Sequence, residues 1–325
     1  MKDFQSYPLK FHPIPKESIW GGDKLKKLFQ LETDGPVGEV WTISDHKNSV
    51  SVCNNGPLAG KKLSDIVQKY PDYYLGHSNK KCFPILVSFL YAEQNLSVQV
   101  HPDDDYALKH DDDYGKAEAW YILEAKEGAK VNYGHRFKNR EKYIEAVNNN
   151  TVPKHLQYIH VSEDDFVFVP PGTLHTIMPG VFIIEIQQTS DVTYRVYDWN
   201  REATTGIKRE LHVDQAADVM IYDEQPVPQT RQTIKETSDM KHELLIKDES
   251  FIVDKWDFSK SLPLTLGTKN QPDVLICARG EGSLKYRNHE LTMKQGDTIL
   301  VPADLDTYEI DPMGEMTLLR VHYEQ

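Results

Sequence analysis

The sequence has few cysteines, no long apolar run and no excess of positive charge. Its 325 residues include three cysteines, Cys53, Cys82 and Cys277. Thiols so few and so widely spaced form neither a disulfide framework nor a zinc–thiolate motif, and they predict a reducing, cytoplasmic setting. No apolar stretch approaches the roughly 20 residues that span a bilayer, and the N-terminal MKDFQSYPLKFHPIPKE lacks the apolar core of a signal peptide.

The charge balance is strongly acidic. There are 50 Asp and Glu against 37 Lys and Arg, a formal net charge of −13, which disfavours nucleic acid and anionic membranes as partners. No glycine-rich loop followed by a helix offers a cradle for a phosphate. A small anionic substrate would therefore need a locally basic pocket, and any metal site must use His, carboxylate and amide groups. Nothing in the sequence demands an obligate interface, so we expect a monomer.

Patterns of short strands run along most of the chain. Seventeen Tyr and recurring Val, Ile and Thr favour β structure, and segments such as VGEVWTIS, FPILVSFLYA, LSVQV and VFIIEIQQ have strand character. Helical spacing is confined to KKLSDIVQKYPDYYL, with Ser64 as its N-cap, to RFKNREKYIEAVNNN and to a short segment over residues 211–221. The polar residues 223–242 are typical of a connector.

A weak internal repeat predicts two related β domains. DDFVFVPPGTLHTI matches GDTILVPADLDTYEI, and AKEGAKVNY matches ARGEGSLKY without a gap. Each copy is typical of a cupin-type jelly-roll barrel, which predicts an all-β protein with a few helices attached to the N-terminal domain. We expect residues 1–235 to form the catalytic, metal-binding domain. Residues 240–325 are expected to form a degenerate, metal-free barrel, because Thr307 takes the place of His175.

Alternation along strands predicts a cluster of metal-ligating side chains. In VQVHP, Gln99 and His101 point to one face of a strand, and in KAEAWYIL the side chains of Lys116 and Glu118 share a face. His175 follows a Pro-Pro-Gly turn at the start of another strand. Two imidazoles, a carboxylate and an amide oxygen form a set that Zn²⁺ accepts with positions left open.

Several separated motifs together resemble one family. SVQVHPDDDYA, GKAEAWYIL, VPPGTLHTI and TYRVYDWNR occur in an order and spacing similar to the signatures of type I mannose-6-phosphate isomerases, and IWGG and GEVWTIS also fit. The resemblance covers at least residues 19–201 and is to the short bacterial form, within the cupin superfamily. The clear departure is Ala119, where many members carry Met; it is expected to change packing and not chemistry.

This resemblance implies one zinc ion per chain, held by Gln99, His101, Glu118 and His175, and it implies that Arg195 is catalytic. The implied reaction interconverts mannose 6-phosphate and fructose 6-phosphate by moving a proton between C1 and C2 through a cis-enediol.

Further roles are assigned to four positions. Lys116 lies beside Glu118, where a metal would lower the pKa of its ammonium group, and Asp191 lies four residues before Arg195, where it can relay or orient a proton. Lys116, Arg195 and Trp20 are predicted to bind substrate, and Lys208 and Arg209 are further candidates for the phosphate.

Two alternatives remain open from the residues alone. Two His and one Glu can hold Fe²⁺ as a facial triad, as in a cupin oxygenase. A non-catalytic sugar-binding cupin could also keep these ligands, although Arg195 and Lys116 beside them favour turnover.

Overall fold

A computed structural model describes residues 4–78, 80–201, 208–224, 226–228 and 230–324. Within these ranges the chain is mainly β, as predicted. The strands are β1 Leu9–Lys10, β2 Ile14–Gly22, β3 Val37–Ile43, β4 Ile85–Tyr91, β5 Val98–Val100, β6 Glu118–Ala125, β7 Lys130–His135, β8 Leu156–His160, β9 Phe166–Val169, β10 His175–Ile177, β11 Val181–Gln188, β12 Tyr194–Tyr197, β13 Gln232–Glu236, β14 Met240–Lys247, β15 Ile252–Phe258, β16 Leu262–Thr265, β17 Asp273–Arg279, β18 Glu281–Tyr286, β19 His289–Lys294, β20 Thr298–Val301, β21 Thr307–Pro312 and β22 Met316–His322.

The helices are short. They are α1 Lys24–Phe29, α2 Leu63–Lys69, α3 Pro71–Tyr74, α4 Asp104–His110, α5 Arg140–Asn148 and α6 Val213–Val219. In the described part of the chain, none has the length and apolar character needed to cross a membrane.

The chain divides into two compact units, and neither is continuous in sequence. The first unit comprises Pro15–Val40 and Ser88–Pro228, and the second comprises Met1–Ile14, Trp41–Val87 and Gln229–Gln325. Two of the four boundaries fall within the long strands β3 and β4. The predicted functional division at residues 1–235 and 240–325 stays a prediction.

Two sheets form the first unit. One has the order β12-β5-β10-β7-β8 and the other β2-β3-β4-β11-β6-β9. Apolar side chains from both sheets, including Leu90, Trp120, Val131, Ile177 and Ile183, join in one buried cluster. The two sheets therefore pack face to face, because period-2 alternation directs every second side chain of each strand to a common interior.

Helices cover the other face of the five-stranded sheet. Val98 and Val100 of β5 lie in a second cluster with Tyr143 of α5 and Ala216 of α6. The predicted helices over RFKNREKYIEAVNNN and residues 211–221 are thus confirmed as α5 and α6. Helix α4 was not predicted from the sequence; it begins directly after the end of β5, where the Asp103 carboxylate caps the backbone N–H of Tyr106 at 2.9 Å.

The second unit repeats the two-sheet arrangement with its own core. Its sheets have the orders β1-β20-β17-β22-β15-β14-β13 and β16-β21-β18-β19, and a cluster that includes Trp256, Leu275, Leu284, Ile299 and Ile310 lies between them. The internal repeat is confirmed as a structural one: β9 and β10 correspond to β20 and β21, and His175 and Thr307 each begin the second strand of their pair.

Two local predictions are wrong. Ser64 is not an N-cap but lies inside α2, whose N-cap is Lys62; the helix begins at Leu63, which is fully buried. The segment 223–242 is not only a connector, because it contains β13 and the first residues of β14. The residues of β13 are all exposed, so their strand conformation depends on pairing with β14 and has no local apolar signal.

Candidate metal centre

Strand β5 directs two polar side chains to the interior of the first unit. Since Val98 and Val100 face the helices, Gln99 and the following His101 point the other way. Pro102 then ends the strand, and its carbonyl accepts a hydrogen bond from the backbone N–H of Lys116 at 3.0 Å. This contact brings the start of β6 next to the end of β5.

A tight turn places His175 beside the same strand. In the turn that starts at Pro170, Gly172 has a φ of +81° and donates its N–H to the carbonyl of His101 at 2.8 Å. A Cβ atom at Gly172 would lie 2.8 Å from the carbonyl oxygen of Val219, so the position requires glycine. His175 then begins β10 directly opposite Gln99 of β5.

The inward face of β6 supplies the carboxylate. Glu118 Oε2 lies 3.5 Å from Lys116 Nζ, and Glu118 Oε1 accepts a hydrogen bond from the indole Nε1 of Trp120 at 3.1 Å. The predicted alternation in KAEAWYIL is therefore confirmed, and Glu118 is completely buried.

The side chains of His101, Glu118 and His175 converge within one small volume. Their ligand atoms lie within 4.8 Å of one another; Glu118 Oε2 is 3.4 Å from His101 Nε2, and Glu118 Oε1 is 3.2 Å from His175 Nε2. Gln99 Nε2 is 3.3 Å from His175 Nε2, so the amide adjoins the same cluster.

Backbone carbonyls fix the protonation of both imidazoles. His101 Nδ1 lies 2.8 Å from the carbonyl oxygen of Val192, and His175 Nδ1 lies 2.9 Å from that of Thr173. Because a carbonyl only accepts, each Nδ1 carries the proton, and each Nε2 presents a lone pair to the cluster. This arrangement is typical of histidines that bind a metal.

The cluster fits a divalent cation. His101 Nε2 and Glu118 Oε2 are buried without a hydrogen-bond partner, and an unsatisfied buried polar atom costs about 1–3 kcal/mol. Imidazole, carboxylate and amide donors are ligands that Zn²⁺ accepts. A cation at this point would satisfy both atoms and balance the carboxylate.

Burial and the surrounding charges favour the protonation states that bind a metal, namely neutral imidazole and ionised carboxylate. Burial, together with the charge of Lys116, lowers the pKa of His101 to about 4, and burial also lowers the pKa of His175. Burial alone would raise the pKa of Glu118, but His175, Lys116 and His101 outweigh it and lower that pKa. At neutral pH the cluster therefore presents two neutral imidazoles and a carboxylate.

In the protein chain without a metal, the pKa of Lys116 is raised, and the lowering predicted beside a bound metal stays a prediction. Burial would lower that pKa, but Glu118, Glu185, Glu39 and Asp191 raise it to about 12. The ammonium group is therefore charged beside the cluster at neutral pH. Two of these four carboxylates, Glu185 and Glu39, were not predicted, and the four together decide the direction of the shift.

Arg195 is linked to the cluster through strand pairing. In the five-stranded sheet, β5 lies between β10 and β12, and Gln99 is opposite both His175 and Arg195. Directly opposed residues of antiparallel strands share a face, so Arg195 projects from the same face as the ligands. Its Nη1 donates to the carbonyl of Glu210 at 2.9 Å.

The remaining predicted residues are more dispersed. Asp191 is exposed in the loop between β11 and β12. Trp20 lies in the hydrophobic core of the first unit, 8% exposed. Arg209 donates two hydrogen bonds to Asp198, while Lys208 is exposed. The roles predicted for these side chains in substrate binding or proton transfer stay predictions.

Glu185 is a buried residue that the sequence analysis missed. It lies in β11 directly opposite Trp120, and its Oε2 accepts from the Ser88 hydroxyl at 3.2 Å. Burial and the charge of Glu118 raise its pKa to about 8, although Lys116 opposes the shift. The signal was present in VFIIEIQQ, where one charged residue interrupts an apolar strand.

Comparison with known proteins identifies the relatives of this chain. Residues 9–132 match the model of the phosphomannose isomerase type I catalytic domain, and residues 241–323 match that of the mannose-6-phosphate isomerase cupin domain. A mannose-6-phosphate isomerase of Streptococcus mutans is 34% identical over 317 residues, which cover 97% of this chain and 98% of that protein. ManA of Bacillus subtilis is 34% identical over 312 residues, covering 95% and 97%.

A solved structure shares the whole fold. The crystal structure of the mannose 6-phosphate isomerase from Bacillus subtilis superimposes with a TM-score of 0.90 at 31% identity, covering 98% of this chain and 100% of that one. The prediction of a cupin-type, mainly β fold is therefore confirmed, and the oxygenase and non-catalytic interpretations are not favoured.

Proposed function

The chain belongs to the mannose-6-phosphate isomerase family, and we propose that it interconverts mannose 6-phosphate and fructose 6-phosphate with one bound zinc ion. The observation that carries the metal assignment is the buried convergence of His101, Glu118 and His175, in which two ligand atoms have no hydrogen-bond partner among the described residues.

We propose that the zinc ion is held by His101, Glu118 and His175, with Gln99 as the fourth ligand. The amide nitrogen of Gln99 lies 3.3 Å from His175 Nε2, and a half-turn of the carboxamide exchanges nitrogen for oxygen. When bound, zinc polarises the oxygens on C1 and C2 and orients the open-chain sugar.

Side chains of the protein then stabilise the negative charge of the enediolate and transfer the protons. In the forward direction a proton leaves C2 and one is returned to C1, while the hydroxyl on C2 becomes a carbonyl and the carbonyl on C1 becomes a hydroxyl. Arg195 donates to the enediolate or to a phosphate oxygen, because its guanidinium group remains charged. Lys116 stabilises negative charge beside Glu118, and Asp191 orients or relays a proton.

The phosphoryl group requires cations in an acidic protein. Lys116 and Arg195 are the leading candidates in the first unit, with Lys208, Arg209 and the aromatic ring of Trp20 as further contacts for the substrate. Each such charged contact contributes on the order of 2–4 kcal/mol in a site that excludes water.

We further propose that the protein is a cytoplasmic monomer in which the second unit binds no metal. All four ligands come from one chain, so no partner is needed to complete the site. Thr307, at the position equivalent to His175, has no metal-binding imidazole. Light scattering of the purified protein, with zinc analysis, measures both the mass and the number of ions per chain.

A coupled assay tests the proposed reaction. Fructose 6-phosphate formed from mannose 6-phosphate is converted and followed by absorbance, first with the protein as purified, then after chelation, then after zinc is added back. We expect activity to disappear with chelation and return with zinc. Full activity in a verified zinc-free sample would refute the metal assignment, and no turnover by the zinc-loaded protein would refute the function.

A further inference from the structure

The segment that follows β12 holds Arg195 in place. The backbone N–H of Arg195 donates to His212 Nδ1 at 3.0 Å, and the N–H of His212 donates to the carbonyl of Arg195 at 2.8 Å. The guanidinium group donates to the carbonyl of Glu210 through Nη1 at 2.9 Å, while its buried Nε has no hydrogen-bond partner. The direction of the guanidinium group therefore depends on the position of residues 208–212.

Asp198 anchors that segment to the end of β12. Its Oδ2 accepts from Arg209 Nε at 2.8 Å, and its Oδ1 accepts from Arg209 Nη2 at 2.5 Å. Paired contacts between a guanidinium group and a carboxylate fix both distance and orientation. The Asp198 side chain is 7% exposed, so water competes little for these bonds.

The same carboxylate binds a second arginine. Arg201 Nη2 donates to Asp198 Oδ1, and Arg201 Nη1 donates to the carbonyl of Asn95, each at 2.5 Å. Asn95 lies just before β5, the strand that carries Gln99. Asp198 thus joins the end of β12 to the segment 208–212 and, through Arg201, to the residues just before β5.

The negative charge of Asp198 offsets the repulsion among the neighbouring arginines. Burial would raise the pKa of Asp198, but Arg209 and Arg201 lower it, so Asp198 is ionised. Burial and the charges of Arg209 and Arg201 lower the pKa of Arg195, whereas the charges of Asp198 and Glu210 oppose this shift. Without the charge of Asp198, this repulsion would push the segment 208–212 away from β12.

We propose that Asp198 is a positioning residue for Arg195: by holding Arg209 it fixes the segment whose Glu210 carbonyl aims the Arg195 guanidinium group at the sugar phosphate. The inference rests on the proposed function, because it takes Arg195 as the group that meets the substrate.

Steady-state kinetics of two variants test this role. Asp198→Asn keeps the shape of the side chain but removes its charge, and Arg209→Lys keeps a positive charge for the substrate but removes the paired contact. We expect each to lower kcat/KM by roughly 10- to 100-fold, because small displacements of a catalytic group have large effects. The zinc content should stay at the wild-type value.

A matched control separates positioning from stability. Asp254 of the second unit is also a buried carboxylate that accepts from an arginine, Arg320 Nη2, at 2.7 Å. We expect Asp254→Asn to lower the melting temperature and to leave kcat and KM unchanged. If Asp198→Asn changes only the melting temperature, as Asp254→Asn should, Asp198 is structural and the proposal is wrong.

A double-mutant cycle shows whether the effect passes through Arg195. In an Arg195→Lys background, Asp198→Asn should lower kcat/KM by less than about twofold, since coupled residues are not additive. A loss in that background equal to the loss in the wild type would overturn the proposal. If Asp198→Asn does not fold, Arg209→Lys carries the test, because lysine keeps the positive charge but cannot make the paired contact with Asp198. A wild-type kcat/KM for Arg209→Lys would also overturn the proposal. Inactive wild-type protein would instead refute the proposed function.

Discussion

The two units place polar side chains inside the same kind of two-sheet fold but satisfy them in different ways. In the first unit, His101 and Glu118 are buried with ligand atoms that have no hydrogen-bond partner. In the second unit, Asp254 lies on the core-facing side of β15 and accepts from Arg320, His242 and His322. In the second unit an arginine contacts the buried carboxylate at hydrogen-bond distance. In the first unit Lys116 lies farther from Glu118, at 3.5 Å, and a cation between the imidazoles and the carboxylate would complete the arrangement.

The arginine of the second unit is held by several contacts. Arg320 contacts Asp254 through two nitrogen atoms at 3.2 and 2.7 Å, lies over the ring of Trp256 at 4.6 Å, and approaches Asp273 at 3.9 Å. Burial would raise the pKa of Asp254, but His242, His322 and Arg320 lower it. A buried carboxylate needs a positive partner, and the comparison shows that a side chain can meet this need without any ligand.

The largest expected effect comes from making the first unit like the second. His175→Thr copies Thr307 and removes one of the two imidazoles. We expect zinc to be lost and activity to fall by roughly a thousandfold, comparable to the loss of a major electrostatic group. Metal analysis and the coupled assay check both outcomes.

The reciprocal change, Thr307→His, serves as the control. Among the described residues, no cluster that could hold a metal is found in the second unit, so the zinc content should not rise. A His175→Thr protein that retains full zinc and activity would contradict the distinction between the units.

Removing the internal cation of the second unit should be the next largest effect. Arg320→Met leaves Asp254 and Asp273 buried without their positive partner. We expect a loss of about 3–5 kcal/mol in the free energy of unfolding, the range observed when one member of a buried ion pair is removed. Urea unfolding followed by circular dichroism measures it, and the zinc content should be unchanged. A loss below about 1 kcal/mol would show that Arg320 is not the charge-balancing group.

The turn that precedes His175 in the first unit also differs from the turn that precedes Thr307 in the second. Gly172 adopts a positive φ, whereas the equivalent position of the repeat is Asp304, which does not. We expect Gly172→Ala to cost about 1–3 kcal/mol, because alanine at a positive φ is strained and its Cβ would meet Val219. Thermal unfolding measures this loss.

Asp304→Ala is the matched variant. It removes a partly exposed ion pair with Arg287 and should cost less than about 1 kcal/mol. Equal losses in the two variants would mean that the glycine conformation has no special importance.

A further expected effect is a dependence of stability on pH in the first unit. Burial lowers the pKa of His135 to about 4, against about 6.5 in the unfolded chain. Between these values the unfolded chain binds the extra proton, so stability is lost as the pH falls from 6.5 towards 4. The loss is at most about 1.4 kcal/mol per pH unit for one group.

Urea midpoints at pH 7 and pH 5 measure this slope. His135→Gln lacks the titrating ring, and its midpoint should change less between the two pH values than that of the wild type. An identical change in both proteins would exclude His135 as the source.

The positions of the proposed metal ligands were predictable because their signal is local. Strand alternation assigns Gln99 and His101 to one face and Lys116 and Glu118 to another without any knowledge of pairing, and the structure confirms both assignments. The order of the motifs indicated the family. Glu185 was missed because a single charged residue in a strand does not reveal which side chains face it, and the raised pKa of Lys116 depends on those same partners.

By itself, the sequence determined the mainly β class, the inward ligand positions and the repeat that distinguishes His175 from Thr307. Only the tertiary structure decided that Gln99 lies opposite both His175 and Arg195, that Val192 and Thr173 fix the imidazole tautomers, and that Asp198 anchors the segment beside Arg195. The physical reason is the range of each interaction. Alternation follows from the backbone geometry of adjacent residues, whereas strand register, loop closure and charge compensation join residues that are far apart in the chain.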